Sequence, residues 1–429
     1  MGLPSASSRI RRLLATAAGV LLVATIAVGC EDKESTSGNG GGAGADRPSD
    51  GAGQRADDEA DKSPATERPS SVRDQGPGDK TKGSDRTSHA DHGDADPSDD
   101  QSAGRPWPQF GVVYHGMWDM TWPQRAELLD KLVATGVRWV RIGVPWATVQ
   151  PNRPTASDPG WSMGWGVPKA DRVINQAVRR GLEVSVTLGQ TPKWANGGRG
   201  PTYLPNDPAT YAKAIRWLAH RYRHRVMSWE IFNEPNNTNF LHTTVPEYVR
   251  LLCAAYPAVR AGDSTTKVLF GGTSGVDAEF IGEAYEQGAK DCFDVLAVHP
   301  YNGEYAPTTQ ARSDDRWWWR NIDQVRAVMR QHDDLATRVW FTEWGWSSHP
   351  NTPSTPSWER GVTYEQQARY AVQFLRLTHR HYPYVDRVAW YSARNETNSS
   401  VENNNFGLFT LGLTPKPVAL RLREFLASH

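Results

Sequence analysis

Two glutamates follow short apolar runs and could form a catalytic pair. Glu234 comes two residues after the run 228–232, and Glu343 comes directly after the run 339–342. Two facing carboxyl groups can hydrolyse a glycosidic bond, because one protonates the leaving oxygen while the other attacks the carbon or activates water. The two carboxyl groups must have different protonation states at the working pH, so their surroundings must differ. A lone strand-end glutamate would fit a structural ion pair better, and we assign no catalysis to Glu230, inside the first run.

Eight apolar runs, most of them short and rich in β-branched or aromatic residues, predict the elements that position this pair. They cover residues 110–114, 137–142, 183–188, 228–232, 267–270, 295–298, 339–342 and 387–390. Such runs are typical of parallel strands covered on both faces. Helical patterns follow them at 123–135, 169–181, 207–223, 246–261, 278–288, 320–332, 363–379 and 416–427. The pattern predicts a (β/α)8 TIM barrel of class α/β. A doubly wound sheet is the alternative, without a glycine-rich phosphate turn to support nucleotide binding.

In such a barrel the functional residues lie at the C-terminal ends of the strands. Strands four and seven lie on opposite sides, so Glu234 and Glu343 can face each other across the mouth. Asn233 can donate a hydrogen bond to a sugar hydroxyl. Arg141, at the end of the second predicted strand, can keep Glu343 ionised through its charge.

Aromatic residues near the strand ends are candidate platforms for sugar rings, which present C–H faces. Trp146, Trp194 and Trp344 follow predicted strands, and Trp390 ends the last one. We expect Trp194, Trp344 and Trp390 to contact sugar first, although packing of loops and helices is the alternative for each. His115, after the first strand, could also reach substrate or be a structural histidine.

The motifs around the two glutamates resemble those of glycoside hydrolase clan A. Trp-Glu-Ile-Phe-Asn-Glu-Pro-Asn at 229–236 resembles the acid/base motif of that clan, and Phe-Thr-Glu-Trp-Gly at 341–345 resembles its nucleophile strand. The resemblance implies a TIM barrel with a retaining mechanism. It implies that Glu234 is the acid/base and that Glu343 is the nucleophile.

Other segments extend the resemblance over nearly all of residues 109–429. Val-Arg-Ile at 140–142 is similar to the second strand of the clan, with its arginine. The resemblance implies that His299 and Tyr301 border the cleft and that Trp390 floors the −1 subsite. Gln-Thr-Pro-Lys-Trp-Ala at 190–195 and the run 247–261 most resemble family 39. The spacing of His299 and Tyr301 makes family 5 the near alternative.

The first 105 residues have the composition of a leader and a linker. Three arginines precede an apolar stretch at 13–28, and Ala27-Val28-Gly29-Cys30 resembles a lipobox, in which the cysteine is lipidated. An ordinary cleaved signal is the alternative. Residues 31–105 contain no aromatic residue and hold 18 acidic against 10 basic residues, which predicts disorder. We therefore expect a signal peptide at 1–29, a linker at 30–105 and a catalytic domain at 106–429.

These features predict an extracellular enzyme that a lipid on Cys30 holds at the membrane. With the leader and linker charges removed, the domain carries about +5, which is too little to indicate nucleic-acid binding. The pair His220 and His224 lies away from the mouth beside arginines, so we expect no metal and no cofactor. We expect a monomer with a carbohydrate substrate. Cys253 and Cys292 could pair or remain two buried thiols.

The leading hypothesis is a retaining glycosidase acting on a β-linked oligosaccharide or polysaccharide. The alternative from another functional class is a catalytically inactive surface lipoprotein that binds carbohydrate on the same barrel. Both glutamates and their supporting residues are present, which favours the enzyme.

Overall fold

In the computed structural model, which describes residues 104–118, 120–397 and 399–429, eight parallel strands close into a barrel. The predicted signal peptide, Cys30 and the predicted linker up to residue 103 lie outside the described residues. The strands are β1 (Gln109–Val113), β2 (Trp139–Pro145), β3 (Glu183–Gly189), β4 (Ser228–Ile231), β5 (Lys267–Leu269), β6 (Val295–His299), β7 (Arg338–Trp344) and β8 (Val385–Trp390). Each pairs with the next, and β8 pairs with β1. This confirms the predicted (β/α)8 TIM barrel.

Helices cover the outside of the barrel at the predicted places. They are α1 (Trp122–Thr135), α2 (Gly166–Val178), α3 (Pro208–Arg221), α4 (Val245–Gly262), α5 (Ala278–Glu286), α6 (Ile322–Gln331), α7 (Tyr364–His381) and α8 (Pro417–Ala427). A four-residue helix (Trp146–Val149) follows β2, and a short strand (Thr273–Ser274) extends the edge beyond β5. Short 3-10 turns lie at Lys193–Ala195, Lys290–Cys292, Trp319–Asn321, Ser357–Glu359 and Asn403–Asn405.

Local sequence explains where several helices begin and end. Thr121 and Gln124 form a capping box before α1, and Gly136 ends that helix with a φ of 95°. A Cβ at Gly136 would lie 3.0 Å from the side chain of Leu426, so this position needs glycine for two reasons. Thr363 forms the same type of box before α7.

The strand interior is apolar at the N-terminal end and polar toward the mouth. The rings of Trp139 and Trp340 lie 5.8 Å apart across the lower barrel. Two residues further along β2 comes Arg141, which faces the same interior because side chains alternate along a strand. Arg141 is the third of seven residues in β2 rather than near its end as predicted, because the strand continues beyond 142 to Pro145.

The start of the described domain is held against its last helices. The ring of Trp107 stacks on His379 at 4.0 Å and contacts the edges of Phe425 and His429. This cluster lies at the N-terminal end of the barrel, where α7 and α8 end.

The two cysteines in the domain form a disulfide. The Cα atoms of Cys253 in α4 and Cys292 lie 4.7 Å apart, and the bond closes a separation of 39 residues. It resolves the two alternatives that the sequence left open in favour of pairing. No helix among the described residues is both long and apolar enough to cross a bilayer.

Candidate active site

Glu234 lies three residues beyond the end of β4, in a sharply turned loop. Phe232 and Glu234 have φ values of 62° and 44°, in the left-handed region that non-glycine residues rarely adopt. The Glu234 amide donates a hydrogen bond to the Gly272 carbonyl at 3.0 Å. A Cβ at Gly272 would lie 2.3 Å from Nε2 of His299, so only glycine permits this approach. The turn points the Glu234 carboxylate at His299.

Glu343 is the penultimate residue of β7 and faces the centre of the barrel mouth. The register between β7 and β8 shifts between Phe341 and Trp344. Such a shift allows the consecutive residues Thr342 and Glu343 both to face the site. The Glu343 carboxylate accepts hydrogen bonds from Nη1 of Arg141 at 2.6 Å and from Oη of Tyr301 at 2.8 Å.

Arg141 connects three groups beneath the mouth. Besides Glu343, its guanidinium donates to Oε2 of Glu230 at 2.5 Å and to Oδ1 of Asn233 at 2.7 Å. Burial alone would lower the pKa of Arg141, but the neighbouring Glu230 and Glu343 carboxylates raise it above its ordinary value. A permanent positive charge therefore lies beside Glu343, as predicted.

Glu230 is completely buried and acts on the site through Arg141. It also accepts hydrogen bonds from Oγ1 of Thr187 and from the Gly272 amide, both at 2.8 Å. Burial works to raise the pKa of Glu230, but Arg141, then His299 and the Gly272 amide, hold it below its ordinary value. From the sequence, Glu230 was assigned no catalytic role. Its place beneath Arg141 makes it a positioning residue that the alternation along β4 did not reveal.

Glu234 has different neighbours from Glu343. Nδ1 of His299 lies 3.0 Å from Oε1 of Glu234, and Nδ2 of Asn237 donates to Oε2 at 2.9 Å. Nε2 of His299 lies 3.1 Å from Oγ1 of Thr342. Glu343 is thus bonded by a guanidinium and a phenol, whereas Glu234 is bonded by an imidazole and an amide. Glu234 and Glu343 are 6% and 8% exposed, so both environments are largely dry.

Tyr301 connects the nucleophile candidate to the cleft wall. Its burial, followed by the negative charge of Glu343, raises the pKa of Tyr301 well above its ordinary value. The phenol therefore stays protonated and donates to Glu343.

Glu234, His299 and Glu343 each offer a ligand atom, and these atoms lie within 4.8 Å of one another. The three could therefore hold a metal ion. In the described structure each also contacts protein groups, since His299 and Asn237 bond Glu234 while Arg141 and Tyr301 bond Glu343. The expectation of a metal-free enzyme stays a prediction.

A cleft of about 390 Å³ opens above Arg141 and Glu343. Its walls come from the ends of β1 to β4 and from the segment after β8. They include His115, Trp118, Met120, Asn233, Phe240, Tyr391, Arg394 and Glu396. Most of this lining was not singled out from sequence, because it depends on how the loops fold over the mouth.

The predicted tryptophan platforms lie elsewhere in the structure. Trp344 and Trp390 are fully buried, and the Trp344 ring stacks on Phe374 at 4.3 Å. They alternate with Glu343 and Tyr391 along the chain, so they point outward to the helices while those neighbours face the mouth. Tyr391, one residue after the predicted Trp390, therefore lines the cleft in its place.

The other two tryptophans pack together behind the β2 and β3 ends. Trp146 is fully buried and donates to Oε1 of Gln150 at 2.7 Å. Trp194 is partly buried, with its ring 5.7 Å from that of Trp146, and donates to the Gln150 carbonyl. Neither lies among the described residues that line the cleft.

Comparison with known sequences identifies one family. The pattern described as "Cellulase (glycosyl hydrolase family 5)" matches residues 100–385. A curated relative, the chloroplastic beta-glucosidase-like SFR2 of Oryza sativa subsp. japonica, is 32% identical over 105 residues. That match covers 24% of this chain and 16% of the relative.

Solved structures share the fold. A family 39 glycoside hydrolase from Bacteroides cellulosilyticus WH2 has a TM-score of 0.60 at 20% identity, covering 75% of this chain and 64% of that one. A GH5_18 enzyme from Streptomyces cattleya, in complex with Manb1-4GlcNAc, has a TM-score of 0.57 at 20% identity, covering 75% and 80%. A monomeric beta-xylosidase from Caulobacter crescentus CB15 has a TM-score of 0.55 at 19% identity, covering 75% and 69%. The predicted resemblance to clan A is confirmed. Family 5, the near alternative from the sequence, is the family whose model matches the chain.

Proposed function

Because the chain belongs to glycosyl hydrolase family 5, the cellulase family, we propose that it is a retaining glycosidase. Glu343 serves as its nucleophile and Glu234 as its acid/base. The substrate is a β-linked oligosaccharide or polysaccharide. The chain spans 16% of the curated relative and 64% of the family 39 structure.

The separation of the two carboxylates carries this proposal. One oxygen of Glu234 and one of Glu343 lie within 4.8 Å. Retaining enzymes place their carboxyl groups about 5–5.5 Å apart, whereas inverting enzymes need about 6.5–9.5 Å to admit a water molecule. The close spacing favours direct attack by a carboxylate.

The reaction proceeds in two displacements. In the first, a Glu343 oxygen bonds to the anomeric carbon, the bond to the leaving oxygen breaks, and Glu234 protonates that oxygen. In the second, Glu234 takes a proton from water, the water oxygen bonds to the anomeric carbon, and the ester to Glu343 breaks. Arg141 and Tyr301 stabilise Glu343 as a leaving carboxylate.

Mechanism-based labelling tests this assignment. A 2-fluoroglycoside with a good leaving group should form a stable ester on Glu343, detected by peptide mass spectrometry. Glu343→Gln should abolish turnover and labelling. Glu234→Gln should lose least activity on aryl glycosides with good leaving groups, which need little protonation.

Glu424→Gln, on the exposed face of α8, is the matched control and should behave as the wild type. Labelling at another residue, or full activity in both site variants on a cleaved substrate, would overturn the proposal. Sugar binding without turnover or labelling in the wild type would favour the inactive carbohydrate-binding lipoprotein instead.

We also propose that the enzyme works outside the cell on a lipid anchor at Cys30. The leader composition supports this location, and a disulfide between Cys253 and Cys292 is typical of oxidising compartments. Cys30→Ala should move the protein from the membrane fraction to the soluble fraction. Unchanged fractionation would exclude the anchor.

A further inference from the structure

A histidine–carboxylate pair lies in the wall of the cleft. His115 is two residues beyond β1, and Glu396 is six residues beyond β8. Nδ1 of His115 contacts Oε1 of Glu396 in an ion pair, although 281 residues separate them in sequence. Their side chains are 33% and 26% exposed, and both line the same cleft as Arg141 and Glu343.

A row of rings connects this pair to the nucleophile. Tyr301, which donates to Glu343, has its ring 6.4 Å from that of Tyr391. The Tyr391 ring lies 5.6 Å from His115, and His115 lies 6.2 Å from Trp118. The pair therefore lies two rings from Glu343, in the wall of the same cleft.

Each member of the pair favours the charged form of the other. Burial lowers the pKa of His115, but Glu396 more than offsets this and raises the pKa above its ordinary value. Burial raises the pKa of Glu396, but His115 and then Arg394 hold it below its ordinary value. In the charged form of the pair, the second ring nitrogen of His115 is a donor and the second oxygen of Glu396 is an acceptor.

A sugar hydroxyl is both a donor and an acceptor, so one hydroxyl or two adjacent ones can satisfy this pair. We propose that His115 and Glu396 form a subsite that hydrogen-bonds hydroxyl groups of the glycone and thereby selects the substrate. The inference rests on the proposed function, which supplies the sugar at Glu343. The subsite distinguishes a sugar from its deoxy analogue. When the hydroxyl group is missing, the polar groups of the subsite lose their hydrogen-bond partner.

Substrate analogues test the subsite. The test compares an aryl glycoside that the enzyme cleaves with the analogue that lacks the hydroxyl group facing the pair. With the wild-type enzyme, kcat/KM for this monodeoxy analogue should be about 10- to 100-fold lower than for the parent glycoside. In the variants Glu396→Ala and His115→Ala, kcat/KM for the parent substrate should fall by a similar factor. In the same variants kcat/KM for the deoxy analogue should change little, so the ratio of the two kcat/KM values should approach one.

Glu396→Gln preserves the shape of the side chain and gives a second variant, with an intermediate ratio expected. The matched control is Asp171→Asn, since the Asp171 side chain is also 26% exposed and ion-paired, with Arg221 on the outer helices. Its substrate ratio should equal that of the wild type. Circular dichroism and the urea midpoint show whether each variant is folded.

A purely structural pair gives a different result. If each variant lowers kcat/KM equally for the parent and every monodeoxy analogue, the subsite is wrong. Labelling of Glu343 in the wild type separates the two proposals. Its absence overturns the glycosidase assignment and the subsite together, whereas labelling with unchanged ratios overturns the subsite alone.

Discussion

Arg141 and Glu230 form an ion pair inside the barrel, with Nε of the guanidinium 2.5 Å from Oε2 of the carboxylate. The pair fixes the guanidinium so that Nη1 meets Glu343. Glu230 is one layer below the cleft lining and contacts Glu343 only through Arg141.

Glu230→Gln should lower both activity and stability. The amide keeps the size of the side chain but leaves Arg141 with one carboxylate fewer. Removing one partner of a buried pair costs about 3–5 kcal/mol, and misplacement of a catalytic group by about 1 Å can cost about 100-fold in rate. Urea denaturation and kcat measure the two effects.

The control for that variant is an ion pair at the opposite end of the barrel. Glu183→Gln breaks a pair with Arg387 in which the glutamate side chain is 45% exposed. Exposed pairs contribute about 0–1 kcal/mol, so its activity should be that of the wild type. Equal losses in the two variants would contradict a positioning role for Glu230.

Asn237→Ala should lower activity most on substrates with poor leaving groups. The Asn237 amide donates to Oε2 of Glu234 at 2.9 Å and holds that carboxyl group in place. A misplaced general acid protonates the leaving oxygen less well, and misplacement by about 1 Å can cost about 100-fold in rate. Asn175→Ala, whose side chain accepts from Arg225 on the outer helices, should leave kcat unchanged on every substrate. Equal losses of kcat on aryl glycosides with good and with poor leaving groups would contradict this role.

Removing the disulfide should destabilise the barrel without changing the site. The bond between Cys253 and Cys292 closes 39 residues, for which the chain-entropy estimate is about 4 kcal/mol. The double variant Cys253→Ala/Cys292→Ala should lower the free energy of unfolding by about that amount while kcat stays unchanged. The wild type in reducing agent should match the double variant, and no difference on reduction would show that the bond contributes nothing.

Lys416 should make stability rise with pH. It is 2% exposed, and its Nζ donates to the Asn405 carbonyl at 2.9 Å. Burial lowers its pKa from 10.5 to about 7. Between these values the folded chain binds fewer protons than the unfolded chain, so the Lys416 contribution to stability increases with pH, by at most about 1.4 kcal/mol per unit.

Urea midpoints at pH 7 and 9.5 test this contribution. Lys416→Met removes the group that titrates, so the wild type should gain stability relative to the variant as pH rises. Lys267→Met, at an exposed position that begins β5, is the control and should follow the wild type. A constant difference between the wild type and Lys416→Met at both pH values would refute the assignment.

The barrel and the approach of Glu234 to Glu343 were predictable because they depend on local signals. Each strand is a short apolar run, and Glu234 and Glu343 each follow one. Contacts between distant segments gave no such signal: 89 residues separate Arg141 from Glu230, and only barrel closure brings them together. The same holds for His115 and Glu396.

Side-chain direction was the other property that sequence did not determine. Trp390 and Tyr391 are adjacent aromatics, and a shift of one residue decides which faces the cleft. The register shift in β7 likewise places Thr342 and Glu343 on one side, which simple alternation does not predict.

The cluster around Trp107 keeps the start of the described domain away from the active site. The chain enters the domain at the N-terminal end of β1, where Trp107 is held by His379, Phe425 and His429. The cleft opens at the opposite end of the barrel. Residues 104–109 therefore lie on the side of the barrel away from the cleft, where they cannot obstruct a polymer that enters the mouth.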